Sequence, residues 1–96
     1  MLKFIKVTGS SLYPEYKEGD YVIVITVPFF PFKKGDTIVF RQSEYGVMIK
    51  HIEEVDSDKI LVTGTHPNSV DSRQFGPIDR VNVIGKVIWH IKKPNP

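Results

Sequence analysis

Cysteine is absent from the 96-residue chain, so neither a disulfide nor a thiolate zinc site can supplement its core, and redox chemistry says nothing about compartment. Histidine is scarce, with three scattered copies at positions 51, 66 and 90; no metal centre and no other cofactor is expected. Long apolar runs are also missing. The most apolar stretch, YVIVITVPFFPF at 21–32, is broken by Pro28 and Pro31 and is too short to span a bilayer. The opening MLKFIKV alternates polar with apolar residues and lacks the apolar centre of a signal peptide. Charge of one sign is lacking too: 13 Lys and Arg against 11 Asp and Glu leave a net +2. The lysines and carboxylates are interspersed, so the basic stripe of a nucleic-acid surface is not seen and no nucleic-acid partner is expected. A soluble, cytoplasmic protein follows as the expectation.

With 41% hydrophobic and 25% charged residues, the chain reads as one small globular domain over 1–96, with a frayed tail at 92–96. A chain of this length has room for one core and one site. Its periodicity is that of strands. LKFIKV and GVMIKHIEEV alternate, while YVIVITV, TIVF, KILVTG and VNVIGKVIWHI are β-branched runs separated by Gly, Pro, Asp or Ser. KKGD and VDSDK read as turns, and at most one helical turn fits around Leu12–Lys17. The expected fold is mainly β: a single antiparallel domain, either a coiled sheet or a barrel.

Three places hold residues that can do more than pack. In GSSLYP at 9–14, a serine at the end of a strand, on a turn permitted by Gly9, presents its hydroxyl and nearby backbone N–H groups to a carbonyl. The same three residues also make an ordinary turn. Lys50, in YGVMIKHIEEV, shares a strand face with Met48 and Ile52, while Val47, Ile49 and His51 share the other. Its amine either snorkels to water or is desolvated, and a desolvated lysine is a usable base near neutrality. A serine with a lysine base needs no histidine. The third place is GTHPNSVDSRQFGP at 64–77, where Asp71 and Arg73 can pair and Ser69 or Ser72 can aim an amine. As a bland alternative it is a surface loop of turn formers.

Together these segments resemble the boxes of the signal-peptidase and LexA-type serine proteases, the S24/S26 superfamily. GSSLYP resembles the Gly-x-Ser-Met-x-Pro box, with GD and YVIV as its continuation and KKGDTIVF as the next strand; IKHIEEV resembles the lysine box. GTHPNSVDSRQFGPI resembles the Gly-Asp-Asn…Ser-x-Asp-Ser-Arg-x-Phe-Gly box, and VIGKV the closing strand. The resemblance implies Ser11 as nucleophile, its N–H and the Gly9 turn at the oxyanion, Lys50 as general base and Ser69 as the serine that orients it. It also implies Asp71 and Arg73 as a bracing pair and places Leu12, Tyr13 and Pro14 at the substrate pocket. Leu12 stands for methionine, His51 for arginine, and Thr65 with His66 for Asp-Asn. The implied substrate is a protein or peptide bound extended, cut to remove a leader from a partner. The small processing peptidases of the S26 type, including the nickel-type superoxide dismutase maturation proteases, have a similar layout. Self-cleavage of the LexA kind is not expected, because the chain contains no alanine and only ten residues precede Ser11. The competing expectation is a catalytically silent module of the same fold that holds a peptide. A last segment, VPFFPFKK at 27–34, is read as a loop over the core or as a peripheral membrane contact through Phe29, Phe30 and Phe32.

Overall fold

The computed structural model describes residues 1–8, 12, 15–26, 31–65 and 69–93. Seven strands form one sheet: β1 (Leu2–Lys6), β2 (Tyr21–Ile25), β3 (Thr37–Gln42), β4 (Gly46–Asp56), β5 (Lys59–Thr63), β6 (Ile78–Asp79) and β7 (Val83–Ile91). A four-residue helix, α1 (Ser72–Phe75), and a 3-10 turn, Arg80–Asn82, lie between β5 and β7. The spatial order is β1-β2-β7-β3-β4-β5-β6, and every pairing is antiparallel. The sheet ends at β1 and β6, so among the described residues no strand pairing closes it into a barrel. The expected turns at KKGD and VDSDK are present. In the first, the Lys33 N–H donates to the Asp36 carboxylate at 3.0 Å; in the second, Ser57 adopts φ 56°.

Alternation explains how one sheet makes two cores. Val39, with Val22 and Val24, buries on one face under Leu12 and Tyr16, and Ile49, Ile84 and Val87 pack against them. Ile38 and Phe40, one position either side of Val39, bury on the opposite face with Ile52, Ile60, Val62 and Ile78. Strand β3 is therefore covered on both faces, which is why TIVF is continuously apolar while its neighbours alternate. Bulges at Ile23/Val24 opposite β7 and between Ile52 and Glu54 in β4 bend the strands and let the two halves face different ways. Gly85 lies on β7 opposite Val39, where a Cβ would overlap the Ile25 carbonyl oxygen and Val24 Cγ1. Only a residue without a side chain lets β2 and β7 approach so closely.

Past β7, the Lys93 N–H donates to the buried Asp20 carboxylate at 2.7 Å; residues 94–96 of the expected tail lie outside the described residues. No helix among the described residues is long and apolar enough to cross a membrane.

Candidate active site

Lys50 sits in β4 opposite Ile38, on the face of the second core, as alternation predicts. It does not snorkel. The whole residue is 0% exposed, and its Nζ has no hydrogen-bond partner among the described residues. Burial pushes its pKa below the ordinary lysine value; the Asp71 carboxylate pulls it back up and the Arg73 guanidinium lowers it further. A buried ammonium loses hydration that no hydrogen bond among the described residues replaces, which shifts the balance toward the neutral amine.

Pairing of β4 with β5 ends at His51 opposite Thr63, and the charges that act on Lys50 are those of Asp71 and Arg73, at the start of α1. Asp71 organises this region. Fully buried, it caps α1 by accepting the Arg73 N–H at 3.0 Å, and the Gln74 side chain accepts the Asp71 N–H at 2.9 Å. This reciprocal pair is a capping box. The same carboxylate accepts the Gly64 N–H at 3.2 Å and both prongs of the Arg73 guanidinium at 3.0 and 3.2 Å. Burial alone would raise its pKa, but the Arg73 side chain and the N–H groups of Arg73 and Gly64 outweigh it and hold the carboxyl below its usual value. Ser72 Oγ then accepts the Val62 N–H at 2.8 Å, fastening α1 to β5.

Asp71 and Arg73 thus form the expected pair. Ser69 is buried, and its Oγ, like Lys50 Nζ, has no partner among the described residues. No hydrogen bond joins the two. Ser11, Gly9, Tyr13, Pro14 and His66 lie outside the described residues, as do Phe29 and Phe30. Leu12 is described: it is buried in the first core and accepts the Tyr16 N–H at 2.9 Å, the single helical turn expected there. Phe32 is half-buried against the second core, with the Arg80 guanidinium 5.1 Å from its ring centroid.

Two groups escaped the sequence reading. His51 was visible only as a replacement for arginine, yet it binds both ways: Nδ1 meets Thr37 Oγ1 at 2.7 Å and Nε2 meets Glu15 Oε2 at 3.2 Å. That contact ties the turn following Ser11 to the residue following Lys50. Tyr16 lies beside it, stacked on His90 with ring centroids 4.2 Å apart. Burial raises the Tyr16 pKa, with a hydrogen bond to Thr37 opposing and Glu15 adding. His90 Nε2 in turn meets Asp20 Oδ2 at 2.7 Å. These partners are 36 and 70 positions apart, and no local pattern marks such pairs. Among the described residues, no three His, Cys, Asp or Glu side chains gather to hold a metal ion.

A family model described as Peptidase S24-like matches residues 1–88. The chain belongs to the Peptidase S24-like family. The match covers nine-tenths of the sequence, from β1 into β7, and includes the GSSLYP segment, Lys50 and the Asp71–Arg73 pair. The mainly β architecture agrees with that membership. The search of curated proteins found no match.

Proposed function

We propose that this S24-like domain is a serine endopeptidase that uses Ser11 and Lys50 to remove a leader-like segment from a partner protein. The observation that carries the reading is Lys50 itself: a lysine held wholly out of water, unpartnered among the described residues, beside an Asp71–Arg73 pair that neutralises itself. A structural lysine would reach solvent or a carboxylate. A lysine kept neutral can accept a proton at a pH where an exposed one cannot.

In the proposed cycle the substrate binds extended, as a strand added to a sheet edge. Neutral Lys50 Nζ takes the proton from Ser11 Oγ as the oxygen bonds to the scissile carbonyl carbon. The carbonyl oxygen becomes an oxyanion facing backbone N–H groups of the GSSLYP turn. Collapse breaks the C–N bond, the Lys50 ammonium returns its proton to the leaving amine, and an acyl-serine ester remains. Water, giving a proton to Lys50, attacks the ester carbonyl; the C–O bond to Ser11 breaks, the Lys50 ammonium returns the proton to Ser11 Oγ, and the acid leaves. In this reading Ser69 supplies the hydroxyl that steers the amine once substrate is bound, since apo geometry at such sites is commonly loose.

Digestion of an unbiased peptide library, with cleavages read by mass spectrometry, tests this. Wild type should cut, while Ser11→Ala and Lys50→Ala should each lose on the order of 10²-fold or more in rate. The rate should climb with pH through the lowered lysine pKa and show no step near 6.5, where a histidine base would titrate. Equal cutting by all three proteins, or none by wild type across the library, would defeat the reading. The missing hydrogen bond between Ser69 and Lys50 favours a second possibility, a silent peptide-holding module. In that case peptides bind wild type and Ser11→Ala alike and leave intact.

A further inference from the structure

Strands β1, β2 and β7 bury one face in the first core through Ile5, Val22, Val24 and Val87. Their register fixes what the other face carries. Leu2 stands opposite Ile25; Phe4 opposite Ile23, which stands opposite Trp89; and Lys6 opposite Tyr21, which stands opposite Ile91. Because side chains alternate, these three rungs project together from the sheet. An ordinary solvent face would be polar here. Instead Phe4 is 70%, Trp89 65% and Leu2 58% exposed, and Tyr21 and Ile91 are exposed beside them. At 150–250 Å² for a full aromatic side chain, the patch amounts to roughly 600 Å², the upper end of what a monomer leaves uncovered.

The charge around this face has one sign. Residues 1–6, 21–25 and 83–93 contain Lys3, Lys6, Lys86, Lys92 and Lys93 and neither aspartate nor glutamate. Lys86 is paired with Asp36 at 3.4 Å, which leaves Lys6 on the face, Lys3 on the edge strand and Lys92 and Lys93 just past β7. The preceding turn holds Glu18 and Asp20, and Asp20 is buried against His90. A second copy laid on this face would set lysines against lysines, which opposes association. An anionic bilayer meets both features at once. Its hydrocarbon edge accepts Phe and Leu, its interfacial layer suits Trp and Tyr, and its headgroups attract lysines.

We infer that the outer face of β1, β2 and β7 is a docking surface for anionic lipid membranes. The sheet lies flat, with the Leu2, Phe4 and Trp89 side chains reaching into the headgroup boundary and the lysines spread on phosphates. This surface owes nothing to the Ser11–Lys50 reading and stands if that reading falls. None of its residues comes from the Phe-rich segment at 27–34.

Trp89 is the only tryptophan in the chain, so its emission reports the event directly. The intact protein is titrated with vesicles of phosphatidylcholine alone and of phosphatidylcholine with phosphatidylglycerol, and binding is confirmed by co-sedimentation. The expected result is a blue shift and pelleting with phosphatidylglycerol vesicles only, weakening as salt rises. A Leu2→Ser/Phe4→Ser variant should lose about tenfold or more in partitioning, and a Phe29→Ala/Phe30→Ala variant should bind as wild type. A Lys6→Glu/Lys92→Glu variant leaves the apolar rungs intact and should also bind more weakly, which guards against misfolding of the first. Absence of binding to phosphatidylglycerol vesicles overturns the inference, as does equal binding to phosphatidylcholine. Loss of binding in the Phe29/Phe30 variant alone assigns the contact elsewhere. Concentration-dependent self-association in sedimentation, removed by Leu2→Ser/Phe4→Ser, would give the face to a second copy instead.

Discussion

Lys50→Met should make the protein more stable while destroying the proposed activity. The substitution keeps an unbranched chain of similar length in the second core and removes the amine. A buried polar group without a partner costs about 1–3 kcal/mol, and here Nζ is buried and unpartnered among the described residues. The variant should therefore gain about that much at pH 7, a rise of roughly 5–20 °C in Tm for a domain of this size. The pH dependence isolates the cause. Lys50 has a lowered pKa in the folded state, so between that value and the ordinary 10.5 the unfolded chain holds a proton that the native one does not. Wild-type stability must then rise with pH across this window, and the advantage of Lys50→Met must shrink as pH approaches 10.5. Urea unfolding followed by far-UV circular dichroism, at several pH values from 7 to 10.5, measures both proteins. A Lys50→Met protein less stable than wild type, or a difference that ignores pH, would show that the amine is well solvated or paired and would refute the reasoning.

Two further perturbations probe the frame around the site. Burial alone would raise the Asp20 pKa, but N–H groups of Lys17 and Lys93 and the His90 ring outweigh it and hold the carboxyl at about 2 against an ordinary 3.8. That difference is worth about 2 kcal/mol, at roughly 1.4 kcal/mol per unit. It is fully present above pH 3.8 and lost as pH falls toward 2, so acid unfolding of Asp20→Asn should be flatter than wild type over this range; parallel curves would count against the pair. Gly85→Ala pushes a methyl into the Ile25 carbonyl and Val24, and overpacking of this kind should cost about 1–3 kcal/mol with an unchanged urea m-value. A neutral Gly85→Ala would mean that β2 and β7 do not approach as closely as described.

The strands were legible because their alternation is local. LKFIKV, TIVF and GVMIKHIEEV each carry their own signal, and each appears as a strand. What no local signal carried was β7 inserting between β2 and β3, a pairing set by closure of the cores. The helix Ser72–Phe75 was hidden inside a run of turn formers, although Asp71 and Gln74 have capping-box spacing and mark its start. For Lys50, alternation specified the face but not its cover. Whether a lysine snorkels depends on what lies above it, which no local pattern specifies. His51 shows the limit most plainly: its partners Glu15 and Thr37 come from two other segments, and the family pattern marked the position without predicting either contact.

The two faces of β4 divide the work of the proposed site. Ile49 and His51 face the first core, where Leu12 and Glu15 hold the segment that follows Ser11. Lys50, between them, faces the second core, within reach of the Asp71 and Arg73 charges. Asp71 anchors Gly64 and caps α1, and its charge attracts the Lys50 ammonium. That attraction would be stronger if the carboxylate were free. It is not: Arg73 binds it through two prongs and backbone N–H groups share its oxygens, so much of its charge is already answered. The attraction is blunted. A carboxylate in that position without its arginine would attract the Lys50 ammonium more strongly and favour the charged form over the neutral base.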